Sequence, residues 1–251
     1  VLADASTFEA LGLHPSAVIT SLTFQNRVRV FGAANQSADV VRAQVMPLLH
    51  EYKIVCAKIG MLPTCGVVSE VASIFRELDL PSPVLDPVMV STSGQRLMDE
   101  DALELLISEL LPLVCLLTPN IQEAEKLTGV RITSETDMRR AAGMIRDLGA
   151  RAVLIKGGHL ENQEAAGSRQ QAESGKRSDD DLASAASMDV LDNEGTVTVL
   201  RQRRVRGGEL RGSGCILSAA IAAGLGKGMS LEDSVRRAKG FVWEAIREAS
   251  N

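Results

Sequence analysis

Short apolar runs alternate along the chain with stretches whose apolar residues recur every three or four positions. Ala17 to Leu22, Lys53 to Ile59, Pro83 to Leu85, Leu113 to Leu117 and Ala152 to Ile155 are β-branched or leucine-rich, and proline, glycine or a charge bounds each one. This is the pattern of buried strands. Between them, Ser37 to Tyr52 carries Val41, Val45, Leu48 and Leu49 on one helical face, and Val67, Val71, Ile74, Phe75 and Leu78 repeat the pattern in a later segment. Ser134 with Asp137 forms a capping-box start to a helix that stops at Gly149, and Ser230 with Asp233 starts another. Strand and helix in regular alternation predict an α/β fold: a three-layer sandwich whose mostly parallel central sheet carries helices on both faces.

Only 3% of the residues are aromatic, so the core is expected to be aliphatic, as buried parallel sheets are. At 251 residues the chain is read as one domain, 1–251. One stretch breaks the alternation. Glu161 to Ser187 reads ENQEAAGSRQQAESGKRSDDDLASAAS, with Leu182 its only large apolar residue, and cannot offset the entropy of ordering. Residues 161–187 are therefore expected to form a mobile surface loop inside the domain. Met188 to Leu191 and Thr196 to Leu200 then resume as a hairpin around Asp192-Asn193-Glu194-Gly195.

Several function classes fall away. No run of about 18 apolar residues exists to span a membrane. The 27 basic residues against 32 acidic ones argue against nucleic acid as the principal partner. Cys56, Cys65, Cys115 and Cys215 are spread without a CxxC pair, which predicts reduced thiols in a cytoplasmic protein rather than a disulfide framework or a zinc site. Val1 to Ala5 shows no basic region ahead of a long apolar one and is not read as a signal peptide; the sequence, opening on valine, is expected to lack its natural start.

Chemistry concentrates in a few places. Gly212, Ser213 and Gly214 lead into a small-residue helix, which is either an anion cradle built from backbone N–H groups or an ordinary tight turn. Cys215 falls at the first helical position, where the dipole is expected to lower its pKa; a buried inert thiol is the other reading. Polar residues follow three predicted strands, at the end where open parallel sheets bind ligands. They are Asp86; Asn120 with Glu123; and Lys156 with Gly157. Each has a structural alternative, Asp86 as a turn residue, Asn120 and Glu123 as a capping pair, Lys156 as a solvated strand end. Together they form a constellation suited to phosphoryl transfer: carboxylates for Mg²⁺ or its waters, a lysine for phosphate, and an oxyanion cradle. Gln25, in Thr20 to Asn26, offers a donor and an acceptor to a planar nitrogen heterocycle, and Met61 follows a strand with a thioether that packs on rings.

These stretches, in order, resemble the hydroxymethylpyrimidine/phosphomethylpyrimidine kinases, the thiamine-pathway members of the ribokinase-like superfamily. The resemblance runs through ADASTFEALG (3–12), TSLTFQN (20–26), KIGML (58–62), DPVMVSTSG (86–94), LLTPNIQEAEKLTG (116–129), AVLIKGGHL (152–160) and GSGCILSAAIAAGL (212–225). It implies a ribokinase-like sandwich that transfers the γ-phosphoryl group of ATP to 4-amino-5-hydroxymethyl-2-methylpyrimidine and then to its monophosphate, with Mg²⁺ as the metal. A homodimer is compatible with this.

The resemblance also implies roles. Asp4, Gln25, Met61 and Val88 correspond to pyrimidine-site positions, with Gln25 on the aminopyrimidine edge and Asp4 near the hydroxymethyl side. Asp86, Asn120, Glu123 and Gly157 match the Mg·ATP region, with Asp86 and Glu123 toward the metal and Lys156 as the phosphate lysine. Gly212, Ser213, Gly214 and Cys215 match the anion hole, Cys215 standing where the superfamily's sugar kinases carry an aspartate base. This sequence departs from the pattern in four ways. The family's first strand and its SGGAG turn would precede Val1 and are missing. The family's C-terminal tail is absent after Asn251, Ser213 stands for a threonine, and Arg211 replaces a histidine, putting a permanent cation beside the phosphate site. Two other functions fit the residues: a pyridoxal kinase of the same superfamily, and a catalytically silent pyrimidine-binding module.

Overall fold

A computed structural model describes residues 1–26, 29–91, 94–158, 186–205 and 210–250. The chain begins with helix α1 (Leu2–Ala10) and an antiparallel pair, β1 (Ser21–Gln25) and β2 (Val30–Asn35), that forms a small sheet of its own. Next come α2 (Ala38–Glu51), β3 (Lys58–Ile59), α3 (Cys65–Glu77), β4 (Val84–Leu85) and α4 (Glu100–Leu105). They are followed by β5 (Leu116–Leu117), α5 (Ile121–Thr128), α6 (Glu135–Asp147), β6 (Ala152–Lys156), β7 (Ala186–Asn193) and β8 (Thr196–Arg203). Two helices, α7 (Ser213–Gly226) and α8 (Leu231–Ala249), close the described chain.

The main sheet has six strands in the order β3-β4-β5-β6-β7-β8. The first four run parallel, and β7 and β8 are antiparallel additions at the β6 edge. Strand alternation divides the core in two. Leu85, Leu117, Val153, Ile155 and Val190 pack with residues of α2, α3, α5 and α6 on one face. Val84, Leu116, Ala152, Leu154 and Leu191 pack with Leu217, Ile221, Val235 and Ala238 of α7 and α8 on the other. This is the three-layer α/β sandwich expected from the sequence. No helix among the described residues is long and apolar enough to cross a membrane.

Local chemistry explains the helix ends. Thr64, Asn120, Ser134 and Ser230 each accept a backbone N–H at the start of α3, α5, α6 and α8, with full capping boxes at Asn120/Glu123 and Ser134/Asp137. In the β7–β8 hairpin, Glu194 and Gly195 both take positive φ, 51° and 94°, as a two-residue turn between right-twisted strands requires.

Three elements differ from the sequence reading. The first strand lies at Ser21–Gln25 rather than Ala17 to Leu22, and it pairs with β2, which the apolar pattern did not reveal, instead of joining the main sheet. Leu22, Phe24 and Phe31 of this hairpin are more than half exposed, so these apolar residues do not report burial in the core. Strands β3, β4 and β5 pair over two residues each, shorter than their apolar runs, because hydrophobicity marks burial and not ladder length. Ala186 and Ser187 belong to β7, so the polar stretch ends before them; its residues 161–185 lie outside the described residues.

Candidate active site

The C-terminal ends of β4, β5 and β6 converge with the N-terminus of α7. Asp86 leaves β4 buried at 2% exposure, and three donors meet its carboxylate. Lys156 Nζ donates to Oδ1 at 2.7 Å, Thr118 Oγ1 donates to the same oxygen at 3.4 Å, and Cys215 Sγ donates to Oδ2 at 3.2 Å. Lys156 is the last residue of β6 and is aligned by the parallel bridge to Asn120, its own N–H donating to Pro119 O at 2.9 Å. Two strand ends and a helix tip thus supply one polar chain, Lys156–Asp86–Cys215, with Thr118 from the end of β5 beside it.

The helix tip itself is shaped by glycine. Gly212 caps α7 with φ 82°, a conformation side chains resist. A Cβ on Gly214 would stand 3.2 Å from Lys156 Nζ, so glycine there lets the ammonium lie against the first turn. The Ser213 N–H donates to Leu210 O at 3.1 Å and is not available to a ligand. The amides of Gly214 and Cys215 have no acceptor among the described residues, and they sit where the helix dipole favours an anion.

Burial pushes the Cys215 thiol up to about 11, and the Asp86 charge beside it adds to the rise; Lys58 only partly opposes them. This corrects the expectation of a dipole-activated thiolate: Cys215 is a protonated donor. Burial also works against the charge of Asp86, but Lys156 and Lys58 together with the hydrogen bonds from Lys156 and Cys215 outweigh it and hold the carboxyl below its ordinary range. For Glu123, burial wins over Lys156 and over backbone hydrogen bonds from Asn120 and Met89, and its pKa is raised. Lys156 stays charged, its burial outweighed by Asp86 and Glu123.

Lys58 was not singled out in the sequence. Its side chain is 4% exposed at the start of β3, donates to Asp4 Oδ1 at 3.1 Å, and lies in the field of Asp86 and Cys215. Burial lowers its pKa, but the neighbouring acidic groups overcome that and leave it raised. A lysine inside an otherwise apolar run was the available signal. Through Lys58, Asp4 of α1 joins the same cluster.

The remaining expected residues take distinct places. Val88 and Met61 follow β4 and β3, half-buried, with the Val88 N–H on Asp86 O at 2.8 Å and Met61 O accepting from Thr20 Oγ1 at 2.7 Å. Gln25 lies exposed on the β1–β2 hairpin. The Gly157 N–H is taken by a protein acceptor, donating to Asp189 Oδ1 at 3.0 Å; Asp189 in turn pairs with the buried Lys239. A Cβ at Gly157 would come within 2.3 Å of Met188 O, so this glycine serves close packing behind Lys156. Arg211 does not lie along the phosphate cradle as the sequence implied. It reaches to the hairpin instead, onto Asn26 O and Gln25 Oε1. All four cysteines are free thiols.

Among the described residues no three His, Cys, Asp or Glu side chains form a metal cluster. Mg²⁺ does not require one, since it keeps several waters and is commonly held by one or two carboxylates with substrate phosphates. Asp86 and Glu123, both close to Lys156, fit that kind of binding.

The family model for phosphomethylpyrimidine kinase matches residues 1–251. The hydroxymethylpyrimidine/phosphomethylpyrimidine kinase of Rhizobium meliloti (strain 1021) is 38% identical over 250 residues, covering 99% of this chain and 85% of that one. The crystal structure of a phosphomethylpyrimidine kinase from Clostridium difficile 630 superposes with a TM-score of 0.76 at 31% identity, covering 97% and 91% of the two chains. A pyridoxal kinase from Staphylococcus aureus in complex with AMP-PCP and pyridoxal superposes with a TM-score of 0.79 at 28% identity, covering 98% and 81%.

Proposed function

The chain belongs to the phosphomethylpyrimidine kinase family, and from that premise we propose that it phosphorylates 4-amino-5-hydroxymethyl-2-methylpyrimidine and then the resulting monophosphate, with ATP as donor. The observation that carries the reading is the buried chain Lys156–Asp86–Cys215 at the tip of α7. A binding module has no need of a buried lysine and carboxylate at an anion-ready helix terminus.

Phosphoryl transfer passes through a loose transition state, so catalysis is mainly positioning and electrostatic stabilisation. The amides of Gly214 and Cys215 would hold oxygens of the transferring group, and Lys156 would offset their charge. Asp86 keeps Lys156 aimed at the helix tip and takes the Cys215 proton as a hydrogen bond, so the thiol acts as a donor and not as a base. Mg²⁺, held through Asp86, Glu123 and their waters, would neutralise phosphate charge when bound. Asn120 fixes Glu123 by the capping box. Asp4, with Lys58, would orient the substrate hydroxyl, Met61 and Val88 would pack on the ring, and Gln25 would read its amino edge.

The chain acts in this reading as one domain in the cytoplasm, where its free thiols persist. Assay of ADP release with the pyrimidine alcohol tests it: turnover that requires both ATP and the pyrimidine supports the proposal. Heat stabilisation by the pyrimidine with no ADP would contradict it.

A further inference from the structure

Arg211 stands one residue before the glycine turn that opens α7, yet its guanidinium reaches the tip of the β1–β2 hairpin. Nη1 donates to Asn26 O at 2.6 Å and Nη2 donates to Gln25 Oε1 at 3.1 Å. Both acceptors are neutral, and among the described residues Arg211 has no carboxylate partner. The hairpin belongs to a sheet separate from the main one. Its base is tied down by Thr20 Oγ1 on Met61 O and by the Gln44 carboxamide on the Ile19 backbone at 2.9 and 3.0 Å. Arg211 ties down its other end.

Arginine has donors only, so the atom of Gln25 that faces it must be the carbonyl oxygen. That contact removes the freedom of a carboxamide to flip. The Gln25 amino group is turned away from the guanidinium, and Oε1 keeps one lone pair for another donor. A side chain so fixed presents an N–H and an acceptor in a set order, matched by a ring nitrogen beside an amino group. It matches poorly a ring nitrogen that lacks that neighbour.

We propose that Arg211 is a positioning residue that locks the Gln25 carboxamide in the orientation that selects an aminopyrimidine over a pyridine alcohol. This rests on the proposed pyrimidine kinase activity. The planar fork is needed because two acceptors on successive residues are held at once, which a lysine ammonium on one flexible stem does not reproduce.

The test compares kcat and KM for the pyrimidine alcohol and for pyridoxal in the wild type, Arg211→Ala and Arg211→Lys, with thermal melting as a check on folding. In Arg211→Ala the KM for the pyrimidine should rise about tenfold, kcat should change by less than about threefold, and the preference over pyridoxal should narrow about tenfold, the scale of one hydrogen bond to a charged group. Arg211→Lys should retain most of the defect. Equal losses on both alcohols, an unchanged KM, a rise confined to the KM for ATP, or full rescue by lysine would each overturn the proposal. A wild type inactive on the pyrimidine would instead refute the activity on which it rests.

Discussion

Asp86 and Cys215 stand 129 residues apart in sequence and are joined by a hydrogen bond, Sγ donating to Oδ2 across 3.2 Å. The bond ties the end of β4 to the first turn of α7. It also fixes the protonation of the thiol, because the neighbouring carboxylate is ionised and both groups are sheltered from water.

Cys215→Ala should therefore lower kcat about tenfold or more with a smaller change in KM, since the bond that holds Asp86, and through it Lys156, against the first turn of α7 is lost. A kcat within about threefold of wild type removes Cys215 from the mechanism. With the thiol pushed up to about 11, its alkylation by iodoacetamide should still be accelerating above about pH 9, followed by mass spectrometry of the Cys215 peptide.

Lys156→Met should abolish most turnover and leave Asp86 buried with no cation at 2.7 Å. Breaking one side of a buried pair costs about 3–5 kcal/mol, readable as a lower urea midpoint. The double variant Lys156→Met/Asp86→Asn should recover much of that stability and none of the activity. A single variant as stable as wild type would show that the pair does not carry the strand ends together.

Much of this arrangement was legible in the sequence, because strand ends and caps are local. The capping box at Asn120 and Glu123, the start of α6 at Ser134, and the β7–β8 turn each need only a few adjacent residues, and all three form as read. What escaped depended on partners distant in the chain. Lys58 is buried because Asp4, Asp86 and Cys215 surround it, and nothing local to KIGML announces them. The direction of the Cys215 shift escaped for the same reason: the helix dipole is visible in sequence, but Asp86 at its side is not. Arg211 was read from its neighbours in sequence as a phosphate cation, whereas its length carries it to the hairpin.

Glu123 has a raised pKa, so the fold binds its proton more tightly than the unfolded chain does, with burial as the first cause. Its contribution to stability is present below the ordinary value of 4.5 and is lost as pH rises through the folded value. Glu123→Gln keeps the carbonyl that caps the Asn120 N–H and removes this titration. Its urea midpoint relative to wild type should improve between about pH 4 and about pH 8, while activity falls about tenfold or more if the charge serves Mg·ATP. A pH-independent difference in midpoint would refute the assignment. Asp86 has the opposite sign: held low, its contribution persists at neutral pH and is lost only as pH falls below 3.8 toward the folded value.

Gly157→Ala places a Cβ 2.3 Å from Met188 O and 2.7 Å from Met138 Cε. Overpacking of this kind costs about 1–3 kcal/mol, and the displacement falls on the residue next to Lys156. Melting temperature and kcat should drop together. A variant with wild-type values for both would mean that β6 and β7 yield without moving the lysine.

The central claim is most directly tested by ³¹P NMR of the wild-type chain incubated with ATP, Mg²⁺ and 4-amino-5-hydroxymethyl-2-methylpyrimidine, with Lys156→Met run in parallel. The account predicts a phosphomonoester signal and then a diphosphate, with matching loss of ATP γ-phosphate in the wild type and none in the variant. Absence of the phosphomonoester in the wild type, or its formation at an undiminished rate in Lys156→Met, would contradict it.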